Sequence, residues 1–237
     1  MSKLFFFRHA QASFLANNYD QLSQKGEQQS LALANYLVHK KITFDKIFVG
    51  PLKRQQHTFE IVADLFSKNK INVPAPVQLA ELKEHAGTEA MGDALPILIE
   101  KNPQIKKWSE EIIAKPALKR RNSLLIFQYF MDEWATGSIE IKNFEPWANF
   151  RKEVKKGLDN ILANTGRGET VGIFTSGGTI SSITAEALNI QDEKKVAAMN
   201  FSVRNTSFTT FLFSKNKFNL LSFNELPHLD EELITFV

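Results

Sequence analysis

Cysteine is absent from the chain. That excludes disulfides, thiolate metal sites and a cysteine nucleophile, and it is compatible with a reducing cytoplasm. Long hydrophobic runs are absent too. The longest are strand-sized, well short of a membrane span. Met1-Ser2-Lys3 leads straight into an apolar run with no signal-peptide pattern, so a cytoplasmic location is expected. An excess of charge of one sign is also missing, with 29 basic against 26 acidic residues and a net +3. That leaves a slight bias toward anionic ligands and no footprint for nucleic acid. Neither a membrane nor a nucleic-acid partner is expected, and no internal repeat or low-complexity stretch is visible.

What is present is ordinary soluble-protein stock: 43% hydrophobic and 23% charged residues over 237 positions, enough for one large domain. The apolar run Leu4-Phe5-Phe6-Phe7 ends in Arg8-His9. It reads as a buried strand whose carboxyl end carries a fixed cation beside a nitrogen nucleophile. In an open α/β sheet, ligands bind at that end. Ser23 is set to cap a helix whose apolar face takes in Leu31, Ala34, Leu37 and Val38. Lys46-Ile47-Phe48-Val49 is a second strand. Gly50-Pro51 turns from it into a helix with Leu52, Phe59, Ile61, Val62 and Leu65 on its apolar side.

Residues 88–137 read as a charge-rich helical insert broken at Pro96, Pro103 and Pro116. Residues 145–162 form a further helix, with Trp147, Phe150, Val154, Leu158 and Ile161 on its buried side. Residues 170–174 form a buried strand that leads through Thr175-Ser176-Gly177-Gly178 into a helix carrying Ile180, Ile183 and Leu188. Residues 207–213 and 218–223 pair as a hairpin turned at Ser214-Lys215-Asn216-Lys217. The expectation is a single domain over 1–237, α/β in class, with a mostly parallel central sheet and helices on both faces. Three strand-to-helix junctions carry polar or basic side chains. They are Arg8-His9, Pro51-Leu52-Lys53-Arg54 and Thr175-Ser176-Gly177-Gly178. Two arginines converging there call for an anion between them.

These segments together resemble the histidine phosphatase superfamily, the phosphoglycerate-mutase-like enzymes. Leu4 to Gln11 is similar to its opening strand and Arg-His-Gly signature. Ser23-Gln24-Lys25-Gly26-Glu27-Gln28-Gln29 is similar to Leu-Thr-x-x-Gly-x-x-Gln. Gly50-Pro51-Leu52-Lys53-Arg54-Gln55-Gln56-His57-Thr58 is similar to Ser-Pro-Leu-x-Arg-Ala-x-Gln-Thr. Phe174-Thr175-Ser176-Gly177-Gly178 is similar to Val-Ser-His-Gly-Gly, and Pro227-His228-Leu229 to the C-terminal His-Leu. The resemblance implies a three-layer sandwich and a metal-independent phosphatase without cofactor, acting on a small phosphorylated substrate. His9 would become phosphorylated, while Arg8 and Arg54 bind phosphate oxygens. Gln11, Ser176, Gly177 and His57 would line the substrate site. The general acid would follow the second helix. Among Glu81, Glu84 and Glu89, Glu84 is favoured because Leu82-Lys83-Glu84-His85-Ala86-Gly87 is similar to Leu-Asn-Glu-Tyr-Asp-Gly. The helical insert would govern substrate choice.

Two departures stand out. Ala10 replaces the signature glycine, which adds one methyl and should leave the loop intact. Ser176 replaces the second core histidine, so one neutral hydrogen bond stands in for a cationic donor. Loss of a transition-state donor costs roughly 10²–10³ in rate. A weakly active phosphate-binding protein and a phosphoglycerate-type mutase are therefore the alternatives. His57, three residues after Arg54, is a candidate to supply the missing imidazole, against an ordinary helix histidine bonded to nearby backbone or water. His39 reads as a helix C-terminal charge, His85 as a loop histidine beside the proposed acid, and His228 as structural or site-lining. A serine-hydrolase elbow at Ser176 fails because Phe174 holds the first glycine position.

Overall fold

A computed structural model describes residues 1–13, 20–215 and 217–236. The hairpin-turn residue Asn216 lies outside them. Among the described residues there are six strands and eight α-helices. They run β1 (Ser2–Arg8), α1 (Gln24–His39), β2 (Lys46–Val49), α2 (Lys53–Lys68), β3 (Val77–Gln78), α3 (Gly87–Lys101), α4 (Pro103–Ala114), α5 (Lys119–Ala135), α6 (Trp147–Ala163), β4 (Thr170–Thr175), α7 (Gly177–Leu188), α8 (Glu193–Asn200), β5 (Phe208–Ser214) and β6 (Lys217–Glu225). The sheet order is β3-β2-β4-β1-β5-β6. The first four strands are parallel, and β5 and β6 are added antiparallel. This is the expected mixed α/β fold. No helix of the described residues is long and apolar enough to cross a membrane.

The backbone divides into two compact units. The first comprises Met1–Glu84, Glu153–Asn189 and Met199–Val237 and contains the sheet. Alternation along β1 sends Phe5 and Phe7 to one face and Leu4 and Phe6 to the other. Phe5 and Phe7 pack with Phe44, Phe174 and Phe208 beneath Leu33 and Leu37 of α1 and Phe59, Val62 and Phe66 of α2. Ser23 caps α1 as expected, its hydroxyl accepting from Gly26 N at 3.0 Å. The buried stripe of α1 differs from the expected one, however. Leu33 replaces Leu31, which is 47% exposed. Leu31 lies about 120° around the helix from Leu37 and about 160° from Leu33, and contact with the sheet decides which apolar residue is buried.

The second unit, His85–Lys152 with Ile190–Ala198, is helical. It is wider than the expected insert at 88–137. Helix α6 begins at Trp147, and its first turn carries Trp147 and Phe150 into an aromatic cluster with Trp134 and His85. Glu193 joins the same unit by accepting from Trp147 Nε1 at 2.6 Å and Arg151 Nε at 3.2 Å. Pro103 opens α4 and Pro116 a short 3-10 turn, but Pro96 does not break α3. It leaves only the Gly92 carbonyl without its helical donor, and both residues face solvent, where water can replace that bond.

Candidate active site

The register of the sheet brings three junctions together in the first unit. Arg8 pairs with Thr175 and Val49 with Phe174, so β1, β2 and β4 end level. The ladder continues past the strands, with His9 N donating to Thr175 O at 2.8 Å and Gly50 N to Phe174 O at 3.0 Å. Arg8-His9 therefore lies beside the starts of α2 and α7, whose N-terminal amides favour anions.

His9 is 5% exposed and its ring is held at both nitrogens. Nδ1 lies 2.7 Å from the Ala10 carbonyl, an acceptor, so Nδ1 carries the hydrogen. Nε2 then presents its lone pair, which accepts from Arg54 Nε at 3.1 Å. Burial, then the Arg54 charge, then the Arg8 charge hold the His9 pKa well below its ordinary value. The imidazole is thus neutral, with a defined tautomer and an unprotonated nitrogen facing a guanidinium. Ala10 is fully buried, its N–H donates to Thr58 Oγ1 at 3.0 Å, and its φ is not positive. An alanine is therefore accommodated there without backbone strain.

Arg54 is the second residue of α2 and is buried. Its Nη1 meets Asp20 Oδ1 at 2.8 Å. The same carboxylate accepts from Lys53 N at 2.8 Å and Arg54 N at 3.4 Å, which closes the N-terminus of α2. No motif of the sequence marks Asp20, because a lone aspartate before a helix looks like a loop residue. Arg8 Nη1 donates to the Val203 carbonyl and, at 2.6 Å, to Phe236 O. The Arg8 guanidinium passes next to Gly177, where a Cβ would come within 3.5 Å of Nε and 2.5 Å of Asn200 Oδ1. Only glycine fits that approach.

Glu84 lies at the start of α7, both carboxylate oxygens within 3.2 Å of Gly178 N. Glu81 instead turns to α6, 3.5 Å from Lys156 Nζ. Glu89 is exposed in the first turn of α3. Of the three candidate acids, only Glu84 reaches the junction that carries Ser176. Gln11 is tied to α1: its N–H donates to Gln29 Oε1 at 2.9 Å, and Ser23 Oγ donates to Gln11 Oε1 at 3.0 Å.

Ser176 is fully buried at the N-cap of α7. Its partner is Gln55, whose Nε2 donates to Ser176 Oγ at 2.7 Å. His57 does not take that place. It lines a cleft of about 400 Å³ with Asp20, Leu22, Lys53 and Glu60. His85 is buried in the aromatic cluster of the helical unit, its Nδ1 accepting from Gly87 N at 3.1 Å. His39 is exposed in the last turn of α1. His228 stacks near Tyr36 and Phe208, and its Nε2 lies 3.1 Å from Thr206 Oγ1. Thr206 N and Asn205 Nδ2 both donate to the His9 carbonyl, so His228 braces the His9 backbone through Thr206. No group of metal-ligating side chains occurs among the described residues.

Comparison with known proteins agrees with this fold. The fold is similar to that of a mutant phosphoserine phosphatase from Entamoeba histolytica in complex with phosphoserine. That match has 19% identity, a TM-score of 0.63 and coverage of 97% of this chain and 100% of that one. It is also similar to a phosphoglycerate mutase from Bacillus anthracis, at 19% identity and TM-score 0.64, over 96% of this chain and 94% of that one. An alpha-ribazole phosphatase from Shigella flexneri matches at 15% identity and TM-score 0.61, over 94% and 96%. No curated protein matches in sequence. The sequence profile of the histidine phosphatase superfamily (branch 1) matches residues 4–124 and 125–226, and the chain belongs to that family.

Proposed function

We propose that this protein is a phosphatase that hydrolyses a small phosphomonoester through a phosphohistidine on His9. The observation that carries the reading is the double restraint on His9: Nδ1 on the Ala10 carbonyl and Nε2 against Arg54 Nε. In the first step Nε2 forms a bond to phosphorus as the ester P–O bond breaks. Glu84, in its acid form, gives its proton to the leaving oxygen. In the second step the Glu84 carboxylate takes a proton from water, the water oxygen attacks phosphorus, and the N–P bond breaks to release inorganic phosphate. Arg54 and Arg8 carry the positive charge that spreading negative charge on the phosphoryl oxygens requires. No metal ion is needed in this scheme, because the guanidinium groups supply that charge.

The depressed pKa of His9 suits this role. A cationic imidazole has no lone pair to offer, and burial together with the Arg54 and Arg8 guanidinium groups keeps it neutral. A panel of phosphorylated metabolites and an aryl phosphate, assayed with wild type and His9→Ala, tests the proposal. Turnover by wild type and its complete loss in His9→Ala is the expected result. Hydrolysis retained by His9→Ala overturns it.

A further inference from the structure

Three residues that depart from the family's motifs prove to be in contact. Gln55 stands where the motif has alanine, Gly50 where it has serine and Ser176 where it has histidine. The Gln55 side chain is fully buried and forms three hydrogen bonds. Its Oε1 accepts from Leu52 N at 3.0 Å, while Nε2 donates to Leu82 O at 3.0 Å and to Ser176 Oγ at 2.7 Å. Reversing the amide would set oxygen against the Leu82 carbonyl and nitrogen against a backbone N–H. The orientation is therefore determined by its partners. A Cβ at Gly50 would collide with Gln55 Oε1, so the glycine at 50 is the space the glutamine occupies.

The direction of the Gln55–Ser176 bond has a consequence for chemistry. Both Gln55 amide hydrogens are committed, so Ser176 Oγ is the acceptor. Its own hydrogen has no acceptor among the described residues. Ser176 does not cap its helix, because the Glu84 carboxylate already takes Gly178 N. A buried hydroxyl hydrogen left over at the junction beside Arg8 and His9 is a donor reserved for an incoming oxygen.

We propose that Gln55 is a positioning residue that orients Ser176, so that the hydroxyl donates to a phosphoryl oxygen. Together the two replace a charged imidazole with a neutral donor supported from α2. The proposal rests on the phosphatase reading for the identity of the oxygen and adds how the site works without a second histidine.

Orthovanadate titration of wild type, Ser176→Ala, Gln55→Ala and the double variant by calorimetry tests it, with thermal midpoints measured alongside. Each single variant is expected to weaken vanadate about a hundredfold, the weaker end of the range for one lost donor. The double variant is expected to be no weaker than Ser176→Ala, because Gln55 acts through the hydroxyl. A Gln55 that merely supports the fold would weaken binding equally in the Ser176→Ala background. In 4-nitrophenyl phosphate turnover, both single variants should lower kcat more than they raise KM. Vanadate affinity unchanged in Ser176→Ala overturns the proposal, as do additive losses in the double variant. If Gln55→Ala fails to fold, Gln55→Met, closer in volume and without the amide donor, takes its place in the same cycle. Loss of turnover in His9→Ala with vanadate binding indifferent to Ser176 defeats this inference and leaves the phosphatase reading intact. Wild type that does not bind vanadate defeats both.

Discussion

At the scale of single residues, the site is a matter of which hydrogen each polar atom has left to give. Nδ1 of His9 gives its hydrogen to Ala10 O, Nε2 keeps a lone pair, and Ser176 keeps a hydrogen. Asp20 belongs to the same economy of bonds. It holds Arg54 Nη1 and the first amides of α2, places a phosphate oxygen would otherwise favour. Asp20→Asn removes a negative charge near the incoming anion and loosens Arg54. Steady-state kinetics on an aryl phosphate should then show a lower KM together with a kcat reduced about tenfold, the effect of a misaligned charged donor. A raised KM with unchanged kcat would contradict the role assigned to Asp20. Arg8, His9, Arg54 and Glu84 stand out in the sequence as candidates because they sit in recognisable segments with chemistry of their own. Gln55 does not, since a glutamine in the first turn of a helix is usually solvated. Its signal lay in three simultaneous departures, at 50, 55 and 176, whose connection only the packing reveals.

Elements place these atoms. Strands were readable from apolar runs bounded by turn residues, and α6 from the spacing of Trp147, Phe150, Val154, Leu158 and Ile161, all of them buried. Less readable were features that depend on what lies opposite. Leu31 and Leu188 are apolar yet about half exposed: only one stripe of α1 is covered, and Leu188 is the last residue of α7, past the buried run 177–185. The interval between Gly26 and Gln29 has a physical explanation in the first helix. Gly26 lets the Gln11 carbonyl reach the helix, and Gln29 answers the Gln11 N–H while its Nε2 reaches Leu233 O at 2.6 Å and Thr235 Oγ1 at 2.8 Å. Gly26→Ala would drive a methyl into that carbonyl. Overpacking of this kind costs about 1–3 kcal/mol, against about 1 kcal/mol regained in helix propensity. Chemical denaturation should show a net loss of stability, with activity falling as the loop after His9 shifts. A more stable, fully active Gly26→Ala would contradict this account of the motif.

At the scale of the whole chain, the C-terminal segment returns to the first strand. Asn205 and Thr206 bind the His9 carbonyl, Phe236 O and Val203 O bind Arg8, and His228 braces Thr206. None of this was readable from local pattern, because each bond joins residues far apart in sequence. The extent of the helical unit was hidden for the same reason: residues 190–198 join it from beyond β4, with Glu193 bonded to Trp147 and Arg151 and with Val196 and Ala197 buried. Burial lowers the His228 pKa from 6.5 to about 4. Above pH 6.5 both folded and unfolded chains hold this histidine neutral, so it contributes no pH dependence. Between pH 6.5 and about 4 the unfolded chain takes up a proton that the folded one refuses, and stability falls as pH falls. His9 acts with the same sign. Urea midpoints measured across this range should decline for wild type and decline less steeply for His228→Phe. Equal slopes would contradict the assignment of a buried, neutral His228.

The central claim is that His9 Nε2 becomes bonded to phosphorus. Rapid acid-free quenching of the enzyme during turnover of a phosphomonoester, followed by peptide mass spectrometry, reads this directly. The account predicts an acid-labile, base-stable phosphoryl group on His9 that forms and decays within the turnover time and is absent from His9→Ala. Full hydrolysis with no phosphoryl group on His9, or a label on another residue that accumulates equally in His9→Ala, would contradict it.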